Sequence, residues 1–407
     1  MPSNAAADPG PGLPELVLRA ARDLDKVDTA FDAELLLSTL LGTIYAGSLP
    51  DRAVALEFFG RTLREHLSTT DTSTARVAAS VLDALTPGTS EQREEAADDQ
   101  GPAWLGALGA VRVTGGYAYG DRYGDQTSYL ITYEYREPEV GGPDHAVVIL
   151  VDHNLGLVKD LVIAAPASMV LDQLRQSVTA DEAAMTWLAE VEPATVRAAS
   201  TGYLRATDNT SELPESESLS SNWALAYARL ALIPDQLPVA ADRPVPGVDK
   251  DGLVGEFLDS PEARLSGLAG ASGERREAVT YCLGLAIDFA DTRGGDPMRW
   301  SPRAVEVFML DWVHGRAVLD SRDTGTLPDA LGAWVLWAGR RLGLPDVALQ
   351  ATFDEVGLRR AEFARLCATG ERQSPAVRAT ARLIAEGVDL TDEQAVDAWL
   401  RTYQSDN

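Results

Sequence analysis

The stretch from Val111 to Ala165 limits the fold more than any other part of this chain. It alone reads as β-sheet, and nearly everything on either side reads as helix. From Gln126 to Arg136, Tyr129, Ile131, Tyr133 and Tyr135 alternate with Ser128, Leu130, Thr132, Glu134 and Arg136. A period of two with β-branched and aromatic residues marks a half-buried strand. The tyrosine side is expected to pack inward and the other side to meet water or a helix end.

Three further strands are expected around it. Val111–Tyr119 forms one, weakened or bulged by Gly115-Gly116 and ending in the turn residues Gly120–Asp125. His145–Val151 is apolar from Ala146 onward, which calls for cover on both faces. Asp152-His153-Asn154-Leu155-Gly156 then turns the chain into Leu157–Ala164. These runs predict a four-stranded antiparallel meander.

Helical periodicity fills the rest. Residues 13–87 read as a helical N-terminal domain, with Asp32 placed to cap the helix over Ala33–Ala46. Residues 88–103 read as an acidic linker, and 104–233 as the sheet with covering helices, among them Pro166–Ser177, Ala180–Glu190, one opening at Pro193, and Asn222–Ile233. The last of these carries Trp223, Tyr227 and Leu230 on one side. Residues 234–251 hold Pro238, Pro244, Pro246 and Gly247 and read as a second linker. Residues 252–405 read as a helical C-terminal domain of about six helices. Its start signals are Ser301-Pro302, Pro328, Leu344-Pro345, Ser374-Pro375 and Thr391-Asp392. The expected class is α+β, mostly α: a helical N-terminal bundle, a central antiparallel meander packed with helices, and a helical C-terminal bundle.

Charge narrows the partners. The 62 acidic and 35 basic residues of the 407 give a formal charge of −27. Such a surface repels nucleic acid and anionic membranes. No stretch approaches the roughly 18 apolar residues of a membrane span, and Met1–Gly12 lacks the pattern of a secretory signal. Cys282 and Cys367 are too far apart in sequence to suggest a zinc site or a disulfide framework. A cytoplasmic protein is expected.

Catalytic motifs are missing. His66, His145, His153 and His314 form no HExxH, and the chain has no GxSxG, P-loop or GxGxxG. The one local concentration of ionisable groups is His145, Asp152, His153 and Asp160, with Asp121 and Asp125 in the preceding turn. If the hairpin turns on Asn154-Leu155, His145, His153 and Asp160 share a face. Two imidazoles and a carboxylate could then bind a divalent metal or act as an acid/base pair. Yet eight residues of strand span about 26 Å at 3.3 Å per residue, so the two histidines cannot meet without a bend. Turn formation is the stronger expectation for Asp152, His153 and Asn154. Around Asp311-Trp312-Val313-His314-Gly315-Arg316, Trp312 is expected in the core and the basic residues at the helix end.

Two stretches, His145–Gly156 and Arg299-Trp300-Ser301-Pro302 through Asp311-Trp312, together resemble a set of uncharacterised bacterial proteins with a helical N-terminal part and an all-helical C-terminal part. The resemblance implies no activity, cofactor or site residue.

The functional expectation is a non-enzymatic protein that binds another protein, with no cofactor and no nucleic-acid or membrane partner. The alternative is a hydrolase or metal-dependent enzyme working at Asp152, His153 and Asp160, with His145 and His153 as candidate metal ligands. A third reading places a small ligand among Tyr129, Tyr133 and Tyr135.

Overall fold

A computed structural model describes residues 13–48, 51–86, 101–234, 249–291, 296–388 and 392–405. Most of the two expected linkers therefore lies outside the described residues. The described residues fall into two compact units, one built on the sheet and one on the helices after residue 248. The class is α+β, mostly α.

The first unit begins with α1 (Leu13–Ala20), α2 (Ala30–Gly47), α3 (Arg52–Thr69) and α4 (Ser73–Leu85). Thr29, not Asp32, caps α2: its hydroxyl accepts from Asp32 N and donates to the Asp32 carboxylate at 2.7 Å. Both side chains suit a cap, and the chain enters three residues earlier than periodicity suggested. These helices do not form a domain of their own. They share one apolar core with the sheet.

The sheet has five antiparallel strands, not four: β1 (Val111–Asp121), β2 (Gln126–Tyr135), β3 (His145–Asp152), β4 (Leu157–Ala164) and β5 (Thr186–Glu190), in the order β4-β3-β2-β1-β5. A short helix, α5 (Pro138–Gly141), joins β2 to β3, and α6 (Ala167–Ala180) joins β4 to β5. β5 replaces the helix expected over Ala180–Glu190. The Asp181 carboxylate accepts from Thr186 N at 2.6 Å and Thr186 Oγ1 at 2.8 Å, which ends the α6 connection. Thr186–Glu190 then pairs with β1, laying Trp187 across Gly120. A Cβ on Gly120 would lie 2.8 Å from the indole. Pairing with the open edge of β1 outweighs local helical spacing.

The tyrosine face is buried as expected at Ile131, Tyr133 and Tyr135. The other face is not simply wet, because Leu130, Thr132 and Ala146 are buried as well. Packed on the sheet are α7 (Pro193–Asn209) and α8 (Glu217–Ala231). α8 also crosses α2 at very short range. Ser38 Oγ donates to Ser221 O at 2.8 Å and accepts from Leu225 N at 3.1 Å, so it inserts into the α8 hydrogen-bond ladder. Gly42 faces the Ser220–Ser221 backbone without room for a Cβ.

The second unit holds α9 (Lys250–Leu258), α10 (Pro261–Leu265), α11 (Gly273–Asp291), α12 (Pro302–Val307), α13 (Val313–Arg316), α14 (Ser321–Arg341), α15 (Asp346–Thr369), α16 (Pro375–Ala385) and α17 (Glu393–Ser405). Its core gathers Phe257, Phe289, Trp300, Phe308 and Trp334. Ser301 caps α12 as expected. Pro328 does not start α14 but lies inside it. The helix begins at Asp320, whose carboxylate accepts from Arg322 N and Asp323 N, while Asp323 answers with the return bond of a capping box. A π-helical turn, Phe308–Trp312, separates α12 from α13. Its freed carbonyls are satisfied by side chains: His314 Nε2 donates to Met309 O at 2.9 Å, and Arg372 donates to Leu310 O at 3.1 Å. Asp311 pairs with the same Arg372, and Arg316 lies 5.7 Å over the Trp312 ring. The 311–316 cluster is thus spent on holding the turn.

Candidate functional site

Asp152, His153 and Asp160 serve three different structural tasks. Asp152 Oδ1 accepts from Asn154 N at 2.9 Å and Leu155 N at 3.1 Å, which builds the turn. The His153 ring bonds Thr127 Oγ1 at 2.9 Å and Tyr203 Oη at 2.8 Å, tying the hairpin to β2 and α7. Asp160 Oδ1 accepts from Ser216 Oγ at 2.6 Å and Ser218 Oγ at 2.5 Å, fastening β4 to the start of α8.

Asp160 also leaves the face assigned to it. A bulge after Leu150 pairs Asp160 with Leu150, and Leu161 takes the place beside Ile149 on the His145 side. Among the described residues no group of three or more His, Cys, Asp or Glu side chains could hold a metal.

His145 is not a wet strand end. It sits at the centre of a buried polar network. Arg229 Nε donates to His145 Nε2 at 3.0 Å, and His145 Nδ1 faces Pro143 O at 3.3 Å. The proton therefore sits on Nδ1, because Nε2 must accept. Burial, with Arg229 opposite, holds the His145 pKa down to about 3. Arg229 also donates to Glu34 and, at 2.8 Å, to Tyr135 Oη. Tyr135 Oη in turn donates to Glu34 Oε2 at 2.6 Å, and Gly109 N donates to Oε1 at 2.6 Å. Burial opposes the Arg229 charge, but Glu34 and the tyrosines outweigh it and raise its pKa. Tyr133 and Tyr135 are buried in this core, and neither is among the residues lining the cavities at α8.

An open feature of the first unit lies on the other side of α8. A cavity of about 410 Å³ opens between α2, α3, α4 and α8. Leu41, Leu56, Leu82 and Leu85 form its walls, and Trp223, Ala224 and Tyr227 its floor. The floor is fixed from behind. Trp223 stacks on Tyr45 with centroids 4.6 Å apart, and Tyr45 and Tyr227 both donate to the Asp208 carboxylate, at 3.0 Å and 2.8 Å. Burial raises the Asp208 pKa although both phenols donate to it.

Arg61 and Arg64 stand at the mouth, paired with Glu57 at 3.1 Å and Asp83 at 2.7 Å. No Ser, Cys or His is among its lining residues; the side-chain oxygens that line it belong to Glu57, Thr86 and Tyr227. None of Asp152, His153 or Asp160 reaches it. Its size and apolar lining are those of a binding pocket.

Sequence reasoning placed Trp223 and Tyr227 on one helix face but not at a site. It passed over Gly60, whose signal is a glycine inside an amphipathic helix. A Cβ built on Gly60 meets nothing within 4 Å. The residue lines the cavity and points at open space.

Comparison with protein-family models, curated protein sequences and solved structures gave no match to this chain.

Proposed function

We propose that the chain is a non-catalytic protein-binding module that takes apolar side chains of a partner into the cavity between α2, α3, α4 and α8. Gly60 is the observation that carries this reading. A glycine inside a helix costs about 0.5–1 kcal/mol relative to alanine. Here no close packing demands it, and a side chain at this position would stand in the open space that the cavity's lining surrounds. A protein partner fits better than a small molecule because the apolar surface runs past the cavity. Val54 and Phe58, on the neighbouring stripe of α3, are 64% and 67% exposed. Acidic composition and free thiols at Cys282 and Cys367 support a cytoplasmic setting. No helix among the described residues is long and apolar enough to cross a membrane.

The test is Gly60→Leu. The leucine fills open space, so the chain should gain about 1 kcal/mol from helix propensity and burial. A displayed library of peptides is selected on the intact wild-type chain, and the winners are measured by fluorescence polarisation. Winners with paired apolar anchors should lose about tenfold or more in affinity for Gly60→Leu, the weight of one well-packed anchor. A selection that enriches nothing, or peptides that bind both chains equally, would refute the reading.

A further inference from the structure

The apolar surface of the proposed site is crossed by one ion pair. On α3, successive side chains turn by about 100°. Glu57 therefore points about 60° from Gly60 and about 100° from Phe58, between the two. Arg61 also lies between them, about 100° from Gly60 and about 60° from Phe58. Both side chains line the cavity, and they are joined at 3.1 Å across one helical turn. A segment that fills the cavity and also covers Val54 and Phe58 must pass over this pair.

The crossing point suits a charge of either sign. Glu57 and Arg61 are 69% and 63% exposed at the side chain, so the bond between them is weak and can be exchanged for a partner's charge. A cation on the partner would take Glu57, and a carboxylate would take Arg61. Arg64, the other arginine at the mouth, does not tip the balance, because Asp83 accepts from it at 2.7 Å. The sign is decided at longer range. The chain carries a formal charge of −27. A field of that sign speeds the approach of cations and slows that of anions.

We infer that the partner segment is cationic, with a lysine or arginine between its apolar anchors that meets Glu57. The inference rests on the protein-binding reading above. It adds the sign of the partner's charge and the place of one charged side chain within the segment.

The test uses the peptides selected on the wild-type chain. Association and dissociation rates are measured on the wild-type, Glu57→Gln, Arg61→Gln and Gly60→Leu chains. The peptides should carry net positive charge. They should associate about tenfold faster at about 0.01 M salt, where charges act over about 30 Å, than at about 0.15 M, where the range is about 8 Å. Glu57→Gln should weaken binding about two- to fivefold, whereas Arg61→Gln, which frees Glu57, should tighten it. Changing the peptide's lysine or arginine between the anchors to glutamine should cost the wild type as much as Glu57→Gln does, and change nothing on Glu57→Gln. Neutral or acidic winners, association that ignores salt, or a loss on Arg61→Gln in place of Glu57→Gln would overturn the inference. The cavity reading survives each of these results provided Gly60→Leu still weakens binding. If binding ignores Gly60→Leu, or no peptide is selected, the reading and the inference both fall.

Discussion

Replacing Arg229 by methionine tests the physical centre of the first unit. Arg229 and Glu34 are 1% and 0% exposed at the side chain, so each charge depends on the other. After Arg229→Met, the Glu34 carboxylate keeps the Tyr135 hydroxyl and Gly109 N but has no cation. His145 Nε2 loses its donor in the same step. An uncompensated buried charge costs about 3–5 kcal/mol. A buried acceptor left without a donor costs about 1–3 kcal/mol. The two overlap, since one side chain supplies both bonds, and a total of about 4 kcal/mol is expected. That is a large share of the roughly 5–15 kcal/mol that holds a domain together. Adding Glu34→Gln removes the orphaned charge while keeping an acceptor for Gly109 N, so it should return about half of the loss. Hydrogen exchange of peptides spanning 126–152, followed in the intact chain against urea, reads the first unit alone. The reasoning fails if Arg229→Met costs less than about 1 kcal/mol, or if Glu34→Gln deepens the loss instead of relieving it.

Other consequences follow from single contacts. Gly42→Ala would set a Cβ 2.5 Å from Ser220 O and 2.7 Å from Ser221 Cα, both backbone, so α2 and α8 must part. A loss of about 2 kcal/mol is expected, seen as a Tm lower by about 4–8 °C for a unit of this size. His145 gives an acid dependence. Its folded pKa of about 3 lies below the unfolded value near 6.5, so the unfolded chain binds the extra proton as pH falls below 6.5. Its contribution is intact above that pH and drains by up to about 1.4 kcal/mol per pH unit towards 3. Urea midpoints of wild type and His145→Gln should therefore converge on acidification, and parallel curves would contradict this. Asp320→Ala removes the cap of α14, where Pro328 already withholds one ladder bond, and should cost about 1 kcal/mol. Faster exchange in peptides from 321–331 would register it.

The sheet was legible because its signal is local. Alternation in β2 and the unbroken apolar run of β3 gave both strands nearly to the residue. β5 was hidden because nothing in Thr186–Glu190 announces a partner, and the open edge of β1 supplies one from 65 positions away, as the Asp121–Thr186 end of the ladder begins. Pro328 misled for a related reason. It resembles a first-turn proline, whereas the Asp320–Asp323 box starts the helix at Ser321. Ionisable residues were the least legible. His145, Asp152, His153 and Asp160 cluster in sequence, but a strand period of two and one bulge send them to separate partners. The network that does bring charges together joins Glu34, Tyr135, His145 and Arg229 across long stretches of chain, beyond any motif spacing.

α8 is where the buried network and the open site meet. Tyr227 and Arg229 are two residues apart, which turns them about 200° from each other on a helix. One side of α8 is therefore bolted to α2, β2 and β3 through Arg229, and the other forms the floor of the cavity. A slip of α8 by one residue would turn its side chains by about 100°. It would carry Trp223 off its stack with Tyr45 and take Arg229 out of reach of Glu34 together. Hydrophobic contacts alone resist such a slip weakly, since a neighbouring apolar residue can take the vacated place. A charge that has one buried partner cannot be replaced in this way. The ion pair thus contributes to register more than to net stability. The Arg229→Met, Glu34→Gln chain separates the two roles: it should recover part of its stability while binding the selected peptides more weakly than wild type. Unchanged affinity in that chain would mean that the aromatic stack and the Gly42 crossing hold α8 in place without it.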